Sequence, residues 1–197
     1  MFRGWWRRSP VFSCSIFLVL LASAACTSTR LTSYRDPAFK DVAYQSVVVA
    51  ADVGDLDWRE HLEGGIANQL RGLGVEAWPS LRFVSPTWPP EEQAKALRET
   101  GHPAVVLVSV GNSGVSQSFS VVSGTGYTSD QPWASMTTRL QDMKTGRVAW
   151  MATSQTEGDG FTSFDDVRRA YCLRVAKELV QQGLVQVHRV SGRGASK

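Results

Sequence analysis

The sequence is poor in the residues that most site chemistry needs. It has three cysteines, and Cys14 and Cys26 lie in or beside the N-terminal apolar run, which excludes a framework of several disulfides. The three histidines, His61, His102 and His188, sit in separate segments, with no Cys or His at ligand spacing. A zinc site needs three or four converging ligands, so no metal is expected. Asp52, Asp55 and Asp57 lack the central glycine and terminal glutamate of a calcium loop. There is no G-x-S-x-G, P-loop or G-x-G-x-x-G, and Gly124-Thr125-Gly126 opens no helix. No cofactor and no catalysis are therefore expected. A distant pair such as Cys172 with His102 is the residual catalytic option. Cys172 falls beside an apolar helical stripe, where a free cysteine packs as a small apolar side chain; an activated thiolate needs a more exposed, electropositive place.

Charge of one sign is also missing. The formal net charge is +3, and Arg3, Arg7 and Arg8 supply all of it without an acid in the first 25 residues. The rest of the chain is balanced, which argues against a nucleic-acid partner that needs surplus Lys and Arg. A long hydrophobic run is absent as well. The uncharged stretch 11–25 would reach roughly 22 Å as a helix, short of the ~30 Å hydrocarbon core.

What stands there instead is a basic start, a short apolar run and small residues, the pattern of a secretory signal peptide over 1–25. Arg7-Arg8 invites a twin-arginine export reading that Pro10 and Val11 fit poorly. Ala22-Ser23-Ala24-Ala25-Cys26 resembles a bacterial lipobox, with Ser23 in place of the usual Leu. That resemblance implies cleavage before Cys26 and acylation of its thiol, with two or more chains making a stable membrane anchor. Thr27, rather than Asp, follows it, which in the lipoprotein sorting rule implies the outer membrane. An ordinary signal peptide with a nearby cysteine is the alternative. With Cys14 removed and Cys26 acylated, Cys172 has no disulfide partner.

The mature chain has the length of one domain, expected over 41–187, after a polar tether at 26–40 and before a disordered tail at 188–197. Runs 46–51 (SVVVAA) and 104–110 (AVVLVSV) read as strands buried on both faces. Between them, Asp57 is the expected N-cap of a helix carrying Leu62, Ile66, Leu70 and Leu73, ended by Gly72 or Gly74. A short strand at 75–78 and a helix opened by Pro89-Pro90 and closed by Gly101 follow. This β-α-β-α-β order predicts an α/β domain with strands 75–78 and 104–110 on either side of 46–51 and helices on opposite faces. Beyond residue 114 the segments 115–121 and 134–140 alternate as antiparallel strands joined by a long loop, 123–132. A hairpin turn at 144–147 and a last helix from Ser163 follow, burying Phe164, Val167, Tyr171, Val175 and Leu179. The fold class is thus a single α/β domain with a mixed sheet, antiparallel in its second half, and a C-terminal helix.

Four segments carry a family resemblance: Ser33-Tyr34-Arg35-Asp36-Pro37, Gly74-Val75-Glu76-Ala77 with Pro79-Ser80, D-x-K-T-G-x-x-x-W from Asp142 to Trp150, and Gly183-Leu184-Val185. Together they resemble a family of small bacterial envelope lipoproteins, whose soluble α/β domain is similar to the N-terminal domain of TolB and to the periplasmic domain of the curli-secretion lipoprotein. Tyr34 stands where tryptophan is usual, and Gly64-Gly65 is atypical. The resemblance implies a lipid-anchored, periplasm-facing module without catalytic residues, contacting an envelope protein or itself. It also raises a secretion or pore-forming component, against which strands of barely eight residues count, since ~9–11 are needed to span.

The expected contact surface is the polar face of the second half, with Ser116, Ser118, Ser120, Ser135, Thr137, Arg139 and Gln141. The loop 123–132 would bring Tyr127 to it, with Trp133 just beyond, aromatic residues among small polar ones. A plain solvated face with a mobile loop is the alternative.

Overall fold

A computed structural model describes residues 27–122 and 125–188, with the side chains of 120–127 outside the description. The expected signal peptide, Cys26 and all of the expected tail but His188 fall outside the described residues. The strands are β1 (Ser28–Arg35), β2 (Ser46–Asp52), β3 (Glu76–Pro79), β4 (Ala104–Val122), β5 (Thr125–Asp142) and β6 (Val148–Glu157). The helices are α1 (Leu56–Gly72), α2 (Pro90–Glu99) and α3 (Phe164–Gln181). They form one six-stranded mixed sheet in the order β1-β6-β5-β4-β2-β3. The parallel part has β3 and β4 flanking β2, as right-handed crossovers require, and the rest is antiparallel.

Two layers of different weight cover the sheet. Val47, Val49 and Ala51 of β2 and Val106 and Val108 of β4 pack with Leu62, Ile66 and Leu70 of α1 and Val167, Tyr171, Val175 and Leu179 of α3. The opposite face holds a smaller cluster, Val48, Ala50 and Val105, under Leu97 of α2 and Phe83. This explains why β2 is apolar on both sides. Phe164, expected in the buried stripe, is only half-buried and meets Trp58 edge-on at 6.2 Å.

Polar groups lock the main layer. Glu63 is fully buried; its carboxylate accepts from Ala51 N (3.0 Å), Ser80 Oγ (2.8 Å), Leu81 N (2.9 Å) and Arg59 Nε (2.9 Å). One side chain thus fastens α1 to β2 and to the end of β3. Arg168 of α3 reaches Asp57 of α1 at 2.8 Å and also pairs with Asp165. Gly65 lets the two helices approach, since a Cβ there would stand 2.8 Å from Cys172 Sγ.

Three expectations need correction. The segment 26–40 contains more than a tether: β1 occupies most of it and pairs with β6 along its whole length. Its residues alternate between exposed and half-buried, as in an edge strand, and Ser33 is held to α3 through Glu178 and Gln182. The N-cap of α1 is Asp55, which accepts from Trp58 N, leaving Asp57 free to pair with Arg168. Most of the loop expected at 123–132 is strand: β5 begins at Thr125 and pairs with β4 as far as Val122. Glycine, serine and proline suggested a loop there, yet none of them prevents ladder pairing where no face has to be packed.

Candidate interaction site

The β4–β5 hairpin outruns the sheet that holds it. β2 accompanies β4 only to Ser109, and β6 accompanies β5 only to Trp133. Beyond these points the segments 115–122 and 125–132 continue as a two-stranded ribbon of eight residue pairs, about 26 Å long at 3.3–3.4 Å per residue.

A bulge stands at its root. Val110 faces Met136 but Ser113 faces Ala134, so β4 spends one extra residue. Ser135 Oγ clamps the bulge, accepting from Asn112 N at 3.0 Å and donating to Asn112 O at 3.2 Å. The extra residue reverses which side chains face the helices. Val106 and Val108 do so before it, Val115 and Phe119 after it. Lying beyond the helices, Val115 is 52% and Phe119 71% exposed.

The other face of the ribbon runs into the uncovered face of the antiparallel half. Ser116 and Ser118 pair with Gln131 and Ser129, in line with Trp133, Ser135, Thr137, Arg139 and Gln141 of β5. The expected polar residues with described side chains therefore share one side of the sheet; the side chains of Ser120 and Tyr127 lie outside the description. Neighbouring strands add Met151, Thr153 and Gln155 from β6 and Arg30, Thr32 and Tyr34 from β1. Trp133 is half-buried at the ribbon root, where Ser116, Gln131, Pro132, Gln155 and Glu157 complete a hollow of about 260 Å³.

Residues weighed for catalysis are placed apart. Cys172 packs in the α1–α3 layer, where burial pushes its thiol up to about 12, overriding the nearby Arg168 charge. His102 lies across the sheet, 2.8 Å from Ser46 Oγ and beside Phe83. Asp55 and Asp57 are engaged as cap and ion-pair partner. Among the described residues, no group of three or more His, Cys, Asp or Glu could hold a metal ion.

No protein-family model matches this chain, and neither does any curated protein sequence. Its backbone does have counterparts among solved structures. The PelC dodecamer from Paraburkholderia phytofirmans superposes with a TM-score of 0.53 at 17% identity, over 81% of this chain and 99% of that one. The fold is similar to that of PelC. A point variant of PelC in space group C2 gives 0.50 at 18% identity, over 81% of this chain and 99% of that one. Lipoprotein GNA1162 from Neisseria meningitidis gives 0.44 at 18% identity, over 69% and 98%. The likeness to PelC shows the α/β fold that the family resemblance implied, and covers most of this chain. The ribbon was missed by sequence reasoning except as alternation at 115–121, and the absence of Asp, Glu, Lys and Arg between Glu99 and Asp130 was the signal available.

Proposed function

We propose that the chain is a lipid-anchored, periplasm-facing module of the bacterial envelope, without catalysis, that works by self-association. The observation that carries this reading is the ribbon. A two-stranded hairpin is marginal alone in water and becomes stable when further strands or a packing surface join it. Support for self-association comes from the PelC-like fold, whose solved example is a dodecamer. Cys26 is the proposed acylation site and anchor, the outer membrane its proposed location, and the uncovered face with Trp133 the proposed contact surface for an envelope protein or a second copy.

The test has two parts. Mass spectrometry of the mature N-terminus should find a lipid-modified Cys26 with nothing before it, and Cys26→Ser should move the protein out of the membrane fraction. Sedimentation of the detergent-solubilised chain should give a mass above the monomer; a monomer at every concentration refutes self-association.

A second reading, a pore-forming or secretion component, gains one specific observation. β1 starts at Ser28, whose partner Glu157 also pairs with Trp133 at the ribbon root. An anchor at Cys26 would hold that end at the membrane, although the ribbon arms of eight residues stop short of the ~9–11 a spanning strand needs. Against it, Gln117 is hydrogen-bonded to Asp130 halfway along the Val115–Phe119 face, a costly pair to set in lipid. Conductance across planar bilayers would favour this reading.

A further inference from the structure

Among the described residues, each strand edge of this sheet is guarded or covered over most of its length, except one. At β3, Arg71 donates to Ala77 O (2.6 Å), Arg82 stacks over Trp78 at 4.2 Å, and Pro79 has no N–H to offer. At β1, exposed Arg30 stands on the edge strand, and Arg35 is turned onto the carbonyls of Phe39 and Val42. The outer edge of β5 is followed by the segment after β6. Gly158 N donates to Pro132 O at 2.9 Å, and a Cβ on Gly160 would lie 2.4 Å from Ser129 Cβ. The outer edge of β4 is different. Past Ser109 no strand among the described residues pairs with it, and no charged side chain lies on β4 anywhere. Long uncharged edges of this kind are templates for strand addition, and charges are the usual protection against it.

We propose that the free edge of β4, residues 112–122, pairs antiparallel with the same edge of a second copy, about a two-fold axis at Gln117. This inference rests on the self-association proposed above and specifies its surface. Head-to-tail pairing of β4 with β5 of the next copy is disfavoured, because the segment after β6 leaves only 125–128 of β5 uncovered. Pairing β4 with β4 uses the whole free edge, whose midpoint is Gln117. In that register Val115 of one copy lies opposite Phe119 of the other, on the same face, twice per dimer. A β-branched residue opposite an aromatic is a favourable cross-strand pair, and it covers Val115 and Phe119, the exposed apolar side chains of the ribbon among the described ones. The two ribbons become one four-stranded sheet, and with no Lys, Arg, Asp or Glu on β4 nothing on the paired edge repels its copy.

Cysteine crosslinking in the full chain tests the register. Directly opposed Cα atoms in an antiparallel pair are about 4.5–5.5 Å apart, within disulfide range. Gln117→Cys should form a disulfide-linked dimer under mild oxidation, with the unsubstituted chain as control. Mixed Ser116→Cys and Ser118→Cys chains should link to each other in preference to themselves. Ser116→Lys with Gln117→Lys, both at exposed positions, should convert the dimer to monomer in sedimentation while leaving the thermal transition unchanged. A chain that keeps its mass in the lysine variant, or crosslinks only when a β4 cysteine meets one at Thr128, overturns this surface and leaves self-association standing. A chain that is monomeric throughout overturns both.

Discussion

Glu63 shows what a single buried carboxylate does in this molecule. It satisfies two backbone N–H groups, a serine hydroxyl and Arg59 at once, so removing it orphans four donors. Breaking a buried pair from one side costs about 3–5 kcal/mol, and Glu63→Ala should lower the urea midpoint accordingly, with Glu63→Gln losing less. Gly65 and Cys172 form a second residue-scale lock. Gly65→Ala forces a methyl against Sγ and should destabilise by about 1–3 kcal/mol, and adding Cys172→Ala should recover much of that in chemical denaturation. The Cys172 thiol, pushed up to about 12 by burial, stays protonated at neutral pH. Iodoacetamide at pH 8 should therefore label it only on unfolding, at the rate of global opening. The burial of Cys172 was legible in the sequence, from its place beside an apolar helical stripe; the roles of Glu63 and Gly65 were not. A glutamate seven residues into an amphipathic helix reads as solvent-facing, and only the tertiary meeting of α1 with the ends of β2 and β3 makes it a hub.

At the scale of elements, the parallel half was legible because its signals are local. Continuous apolar runs, capping residues and glycines at helix ends placed β2, α1, β3, α2 and β4 in order; Gly74 and Gly101 do hold the positive φ such endings need. The N-cap of α1 was displaced by two residues because Asp55 and Asp57 offer the same chemistry, and only the reach of Arg168 tells them apart. The capping box of α3, Ser163 with Asp166, was readable at sequence level and is formed. Ser163→Ala should cost about 1 kcal/mol, measured by thermal or urea unfolding. Hydrogen bonds from the Ser163 side chain and backbone hold the Asp166 carboxyl below its ordinary value. A depressed folded pKa stabilises above the unfolded value, near 3.9, and that stability is lost as pH falls through the folded one. The stability difference between wild type and Ser163→Ala should accordingly narrow below pH 4. The edge strand β1 and the outer part of the ribbon were hard to read for a shared reason. Many of their side chains are small and polar because little packs on them, so hydropathy leaves only the alternation at 115–121.

On the scale of the whole molecule, the arrangement is polarised. The core and the three α-helices of the described residues gather over one end of the sheet, and a single layer projects from the other. Deleting the projection should leave the core intact. Replacing 115–132 by a two-residue Asn-Gly turn between the paired Gly114 and Trp133 is expected to keep the thermal transition within a few degrees while abolishing self-association, checked by calorimetry and sedimentation. The chain enters β1 at the ribbon end, so a lipid at Cys26 would hold two paired copies side by side on one bilayer, each root beside its own anchor. Trp133→Ala widens the hollow at that root, and the blue shift of intrinsic fluorescence expected when copies associate should be lost in this variant if the root is drawn into the contact.

The bulge at Gly111-Asn112 has an evolutionary corollary. On β4 the residues before it pack in the core, and the residues after it stand outside the core. Loss or gain of one codon at that point would turn over the faces of β4 beyond it, exchanging its serine side for its valine and phenylalanine side, while β5 keeps its facing and the hydrophobic interior is unchanged. A lineage carrying this scaffold holds a switch between two surface chemistries that a single reading-frame-preserving event can throw.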